Sequence, residues 1–220
     1  MKKYLIACAA LPALYASPAL AQDAGTIQAR VFATAVLPDG AIDKVNTDLI
    51  GLPAATQTEA NDNFVPTVAI EYFVAPNISI ETICCVTQHD VDGTTGLPGA
   101  ELVSDAKLIP ATFTAKYHLN AGGISPYVGA GVAYFIFFDE EPGAATVALG
   151  ADDFELSNEL GVALQAGVDV PLSDGLMLSL DAKRYFIGTT ARWFANGVKV
   201  IETEHKLDPW VLSAGVGFRF

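Results

Sequence analysis

The sequence predicts an all-β fold: an eight-stranded antiparallel transmembrane β-barrel with both termini periplasmic and four long extracellular loops. Three observations carry this expectation. From Trp210 to Phe220 the chain alternates strictly, with Trp210, Leu212, Ala214, Val216, Phe218 and Phe220 on one parity and Val211, Ser213, Gly215, Gly217 and Arg219 on the other. That is the period of a strand with one apolar face and one small or polar face. Although 51% of the residues are hydrophobic, no apolar run reaches the roughly 18 residues that a membrane-spanning helix needs. Finally, the links between alternating segments are long and short by turns, as a barrel with periplasmic turns and external loops requires.

Taken in order, Lys2 and Lys3 form a positive leader, Tyr4 to Leu14 an apolar stretch, and Ala19-Leu20-Ala21 a small-x-small cleavage site. Residues 1–21 therefore read as a signal peptide and 22–220 as the barrel, with Cys8 leaving in the leader. Loss of the two lysines takes the formal charge from −13 to −15, which excludes a nucleic-acid partner, since that needs a basic face. Cys84 and Cys85 remain. Adjacent strand residues point to opposite faces, so the pair reads as two small apolar fillers rather than a disulfide, and its redox state is not legible.

The first strand runs from about Ile27 to Leu37, with Ile27, Ala29, Val31, Ala33 and Ala35 opposite Gln28, Arg30, Phe32 and Thr34. The second, Phe64 to Val74, sets Val68, Ile70 and Tyr72 against Thr67, Ala69 and Glu71. In the third, Ile78 to His89, Ile78, Ile80, Cys84 and Val86 oppose Ser79, Glu81, Cys85, Thr87 and His89. The fourth, Leu108 to Leu119, sets Ala111, Phe113, Ala115 and Tyr117 against Thr112, Thr114, Lys116 and His118. Ionisable residues inside each strand share one face, and a one-residue slip would put them in lipid.

The fifth strand, Pro126 to Phe138, carries Val128, Ala130, Val132, Tyr134 and Ile136 outward, and its inner face is also apolar or small, with Tyr127, Gly129, Gly131, Ala133, Phe135 and Phe137. The sixth, Gly161 to Val170, alternates Val162, Leu164, Ala166 and Val168 with Ala163, Gln165, Gly167 and Asp169. The seventh, Leu176 to Ile187, alternates Leu176, Leu178, Leu180 and Ala182 with Ser179, Asp181, Lys183 and Tyr185. Arg184 breaks this pattern by facing outward near the strand end, where a long side chain can snorkel to headgroup or lipopolysaccharide phosphate. The long links are Pro38 to Asn63, Val91 to Lys107, Asp139 to Leu160 and Gly188 to Leu207; the short ones are Ala75 to Asn77, Asn120 to Ser125 and Pro171 to Gly175.

Ser125-Pro-Tyr-Val-Gly-Ala-Gly-Val-Ala-Tyr134, Leu164-Gln-Ala-Gly-Val-Asp169, Asp208-Pro-Trp-Val211 and Gly215-Val-Gly-Phe-Arg-Phe220 resemble, in order and spacing, the OmpW family of small outer-membrane proteins of Gram-negative bacteria. Pro110-Ala-Thr112 and Tyr117-His118 match more loosely. The resemblance covers essentially all of the chain beyond the leader. The sequence departs from the family pattern at Cys84-Cys85 and at the inner positions Ala69 and Ala133. The resemblance implies a narrow, hydrophobic lumen that admits small hydrophobic compounds from outside and releases them sideways into the membrane.

Eight strands enclose a lumen that side chains can fill, which argues against a general aqueous porin. By parity, Phe32, Tyr127, Phe135, Phe137 and Val211 line it as candidate ligand contacts, and Gly129, Gly131, Gly167, Gly215 and Gly217 are expected to leave room. Arg30, Glu71, Glu81, Lys116, Asp169, Asp181, Lys183 and Arg219 are the expected lumen charges, pairing with one another into a plug below the apolar mouth. Pro66, Pro110 and Pro209 cannot donate to the ladder and mark places where it can lapse. A competing reading is a structural or adhesive barrel acting through its acidic loops, Asp139-Glu140-Glu141, Asp152-Asp153 with Glu155 and Glu159, and Glu202 with Glu204. A lipid-modifying enzyme is disfavoured, because His89 and His118 face inward and His205 falls in the last loop, away from any outward Ser. No cofactor, resident metal or catalytic residue is expected. Outer-membrane lipid, lipopolysaccharide and a small hydrophobic ligand are the expected partners of a monomer.

Overall fold

The computed structural model describes residues 23–220; the expected leader, with Cys8, lies outside the described residues. In chain order the elements are β1 (Ile27–Leu37), β2 (Ala41–Asp48), β3 (Thr58–Ala60), β4 (Asn63–Ala75), β5 (Ile78–Cys84), β6 (Thr87–Gly93), β7 (Glu101–His118), β8 (Ser125–Phe138) and β9 (Glu141–Pro142). There follow α1 (Ala144–Ala148), β10 (Asp153–Leu156), β11 (Glu159–Ser173), β12 (Leu176–Phe186), β13 (Gly188–Ala195), β14 (Val198–Lys206) and β15 (Trp210–Arg219).

Eight of these strands close an antiparallel barrel in the order β7-β5-β4-β1-β15-β12-β11-β8, with β8 pairing back onto β7. Closure leaves the barrel no free edge, the condition for strands in hydrocarbon. Alternation fixes the faces. Val31, Val68, Ile80, Phe113, Val132, Leu164, Leu180 and Leu212 stand exposed on the outside, while Gln28, Arg30, Glu71, Glu81, Thr114, Lys116 and Asp169 are buried inside. Exposed Tyr72, Tyr117 and Phe218 sit toward the short-turn end, and Phe64, Phe186 and Trp210 toward the other. Such girdles flank the apolar band of a membrane barrel. Arg184, outward as expected, finds partners within the protein: its guanidinium lies 5.9 Å from the Phe186 ring centre and 5.4 Å from that of Trp210, and it donates to the Asp208 carbonyl. The turn between β4 and β5 is tight, and Asn77 takes φ 64° there, the left-handed region that Asn tolerates.

Three sequence expectations change. The third strand is not continuous, because Cys85 and Val86 separate β5 from β6. The fourth begins at Glu101 rather than Leu108 and, with β6 and β3, extends the sheet beyond the apolar band. Most of the length read as loop is also strand: β10, β13, β14 and β2 form a second sheet in the order β10-β13-β14-β2. A core of Leu102, Val103, Ala106, Ala151, Phe154, Ala191, Trp193 and Ile201 sits between these upper elements. The physical reason is backbone accounting, since long connections packed over a barrel mouth must pair their N–H and C=O groups, and the ladder does so most completely.

Candidate functional site

Within the lumen, the half nearer the short turns is a connected polar network. Arg30 donates from Nη1 to Glu81 at 3.0 Å and from Nη2 to Gln28 at 2.7 Å and Asp169 at 2.8 Å, and it pairs with Glu71. The Lys116 ammonium bridges Glu71 at 3.0 Å and Glu81 at 2.9 Å while lying 3.7 Å from the Tyr127 ring centre. Lys183 bridges Glu81 at 3.1 Å and Asp181 at 2.8 Å. Around them Gln165 donates to Glu81 and Asp181, the Tyr127 hydroxyl donates to Asp181 at 2.8 Å, Ser179 donates to Asp169 at 2.6 Å, and His118 Nε2 lies 2.7 Å from Glu71. Desolvated charges of this kind persist only when each finds partners of opposite sign.

Above the network lies an apolar pocket lined by Phe32, Val36, Ile83, Leu108, Phe135, Phe137, Tyr185, Trp193, Leu207 and Val211, among others. Its open core of about 80 Å³ has room for roughly half a dozen waters. Polar groups at the upper wall are satisfied. His205 Nδ1 donates to the Gly40 carbonyl at 3.1 Å and its Nε2 meets Thr203 Oγ1 at 2.6 Å; His89 Nδ1 donates to the Asn61 carbonyl at 2.7 Å and its Nε2 meets Thr87 Oγ1 at 2.9 Å. Burial holds the His205 imidazole below its ordinary value, with the Gly40 carbonyl opposing the shift. At the floor, where pocket meets network, stand Thr67, Lys183 and Ser213.

The lapse between β5 and β6 lies in the wall of this pocket. The β5–β7 and β6–β7 registers are the same, Ile83 opposite Thr112 and Thr87 opposite Leu108, which places Cys85 opposite Pro110. The β4–β5 register, Val68 opposite Cys84, likewise places Val86 opposite Pro66. Antiparallel residues alternate in the neighbour they bond. His118 donates toward Asn77 and Phe73 toward Thr26, so even-numbered residues of β7 and of β4 aim their nitrogens at the β5–β6 strand. Both prolines therefore withhold a donor from the same dipeptide, one from each side. Cys85 and Pro110 line the pocket, while Pro66 faces outward.

Of the sequence-expected residues, Phe32, Phe135, Phe137 and Val211 meet in the apolar pocket, whereas Tyr127 lies lower, over Lys116 and bonded to Asp181. Seven of the eight expected charges, Arg30, Glu71, Glu81, Lys116, Asp169, Asp181 and Lys183, join one network. Arg219 is inward-facing at the rim, and its Nε has no hydrogen-bond partner among the described residues. The expectation that glycines leave room fails. A Cβ on Gly167 would fall 2.4 Å from the Tyr127 ring, and one on Gly129 or Gly217 would fall 3.0 Å from the Lys116 or Arg30 stem. These three admit large neighbours rather than a ligand, while Gly131 and Gly215 sit close against the backbone of the next strand, at Phe113 and Val31. Sequence reasoning missed His205 and Trp193 as pocket residues, although the alternation of Ile201, Thr203 and His205 against Glu202 and Glu204 was a readable signal. It placed Thr67 inward without marking it.

Cys84 is exposed toward the outside and Cys85 buried toward the lumen, both as free thiols. Among the described residues no group of three or more His, Cys, Asp or Glu side chains is placed to hold a metal ion. The acidic loop positions are partly paired: Asp139 with Lys107, Glu202 with Arg192 and Lys199, and Glu204 with Lys44.

Comparison with known proteins agrees with this geometry. The family model described as OmpW family matches residues 23–220. An uncharacterized outer-membrane protein of Sinorhizobium fredii, y4mB, is 30% identical over 82% of the chain and 76% of its own length. Outer membrane protein W of Vibrio cholerae is 29% identical over the full length of both. Among solved structures, OprG of Pseudomonas aeruginosa superposes with a TM-score of 0.81 at 26% identity, covering 91% of this chain and 98% of its own. The Escherichia coli outer membrane protein W gives 0.55 at 25% identity, covering 90% of this chain and 99% of its own.

Proposed function

The chain belongs to the OmpW family of outer-membrane proteins, and from that premise we propose that it is a channel for small hydrophobic molecules that takes them in at the long-connection end and releases them sideways into the membrane. In this reading the long connections face outside, both termini face the periplasm, and the protein stands as a monomer among lipid and lipopolysaccharide. The observation that carries it is one of position: an apolar pocket ends on a charged floor, and the wall beside that pocket contains the Cys85–Val86 lapse between Pro66 and Pro110. A greasy molecule gains nothing by entering a network of paired charges, because it would have to separate them. Sideways passage needs only that strands already lacking two ladder bonds move apart.

The test is uptake into liposomes holding the refolded protein, using a small hydrophobic dye and a polar solute of similar size. The hydrophobic dye is expected to enter faster than through protein-free lipid, and the polar solute is not. Phe135→Lys, which places an ammonium among Leu108, Ala133 and Tyr185, is expected to abolish the gain, and the double change Pro66→Ala with Pro110→Ala to cut it several-fold. Equal entry of both solutes, or a gain indifferent to Phe135→Lys, would defeat the proposal.

A further inference from the structure

The pocket has apolar walls along most of its depth and differs at one level only, its floor. Thr67 is 4% exposed and lines the pocket; its Oγ1 meets the Cys85 thiol, a weak partner, and makes no well-aligned hydrogen bond among the described residues. Every other hydroxyl and imidazole named at the upper wall is paired: Thr58 donates to the Gly40 carbonyl, Thr189 to the Ser157 carbonyl, and His89 and His205 use both ring nitrogens. A buried hydroxyl with only a weak sulfur partner gains free energy when something that enters the site offers it an oxygen. Lys183 lines the same floor. An ammonium carries three donors, and here two carboxylates, Glu81 and Asp181, engage it.

We propose that the molecule this channel prefers is a single-chain amphiphile with one uncharged polar head, such as a fatty alcohol, aldehyde or ester, seated head-down with its oxygen on Thr67 Oγ1 and the remaining Lys183 N–H. The inference rests on the channel reading and names its substrate class. An open core of only about 80 Å³ favours one short chain over a fused ring system. A plain hydrocarbon would leave the Thr67 hydroxyl with the Cys85 thiol alone. A carboxylate is disfavoured as well, because the Lys183 charge is already matched by Glu81 and Asp181, and a third anion would face both. Apolar walls with a small number of placed polar groups are the usual construction of a selective small-molecule pocket.

Trp193 lines the upper pocket and Trp210 faces outward, so a Trp210→Phe background leaves Trp193 as the one tryptophan of a chain that has two. Tail-brominated octanol, bromooctane and tail-brominated octanoate would be titrated against this protein in lipid nanodiscs, with partition into the lipid subtracted. Head-down seating brings the bromine up toward Trp193. The octanol probe is expected to quench at a concentration about fivefold below bromooctane, the worth of one net hydrogen bond, and below octanoate. Thr67→Val should raise the octanol midpoint toward that of bromooctane without moving the latter, the Lys183 N–H holding what preference is left, and Thr67→Ser should restore it, which separates hydroxyl chemistry from a folding defect. Equal midpoints for octanol and bromooctane with no response to Thr67→Val overturn head recognition and leave the channel reading standing. Tightest binding by octanoate overturns the uncharged head. Failure of all three probes to quench overturns the channel reading together with this one.

Discussion

On β1, Gln28 and Arg30 face the lumen in the polar half and Phe32 and Val36 in the apolar half; on β12, Asp181 and Lys183 give way to Tyr185 and, just past the strand end, Ile187. The same strands, with the same alternation, thus enclose two media of opposite character. In the polar half every carboxylate is within ion-pairing distance of Arg30, Lys116 or Lys183 or takes a hydrogen bond from a neighbour, and the stems of those long side chains fill the space that glycines concede. In the apolar half the lining is aromatic and aliphatic, and a cavity remains. The difference teaches that the inner face of a narrow barrel is closed by paired charge and left open by apolar packing, the reverse of a wide aqueous pore.

The largest effect expected from breaking that contrast comes from Glu81, which alone touches Arg30, Lys116 and Lys183. Glu81→Ala leaves three buried cations short of an acceptor, and removal of one partner from a buried ion pair costs about 3–5 kcal/mol. Urea unfolding from lipid bilayers should register a loss of that order, accompanied by a rise in ion conductance. Unchanged stability and conductance would mean that the network neither holds nor plugs the lumen.

A smaller effect separates the halves by pH. His205 is buried at the upper wall with Nδ1 donating to Gly40 and its imidazole held below the ordinary 6.5. Since its folded value is depressed, the unfolded state takes the proton first as pH falls. Its contribution to stability is complete above about pH 6.5 and is lost as pH falls through the lower folded value. Protection factors, corrected for the slower intrinsic exchange at lower pH, should therefore fall in β14 and β2 on acidification from neutral pH while those of β1 and β12 hold, and His205→Gln should flatten the response. Uniform loss of protection along the barrel would remove His205 as the cause.

Parity made much of this legible. It gave β1 its bounds, put Arg30, Glu71, Glu81, Lys116, Asp169, Asp181 and Lys183 on one surface, and placed Phe32 and Phe135 inside, because a period of two is a local property of a strand. Relations across strands were not legible. That Pro66 and Pro110 withhold donors from the same dipeptide depends on two registers at once. That Thr67 has only the Cys85 thiol beside its hydroxyl depends on what its neighbours on other strands fail to offer. The second sheet was hidden for another reason: in β14 the outward Glu202 and Glu204 read as solvated loop, while the buried Ile201, Thr203 and His205 between them carried the strand period.

The smallest expected effect uses the same chemistry in a third setting. Lys44 and Glu204 form an ion pair across β2 and β14 at 3.7 Å, with their side chains 63% and 44% exposed. Water already solvates both groups there, and holding two long side chains together offsets most of the attraction. Lys44→Ala should change stability by less than about 0.5 kcal/mol, and that change should vanish at high salt, where exposed pairs are screened. Asn46 also donates to Glu204 at 2.8 Å, so the carboxylate keeps a partner in the variant. A loss comparable to that of Glu81→Ala, or one indifferent to salt, would show that position inside the lumen is not what gives the buried network its strength, and the contrast between the two media would have to be drawn from packing alone.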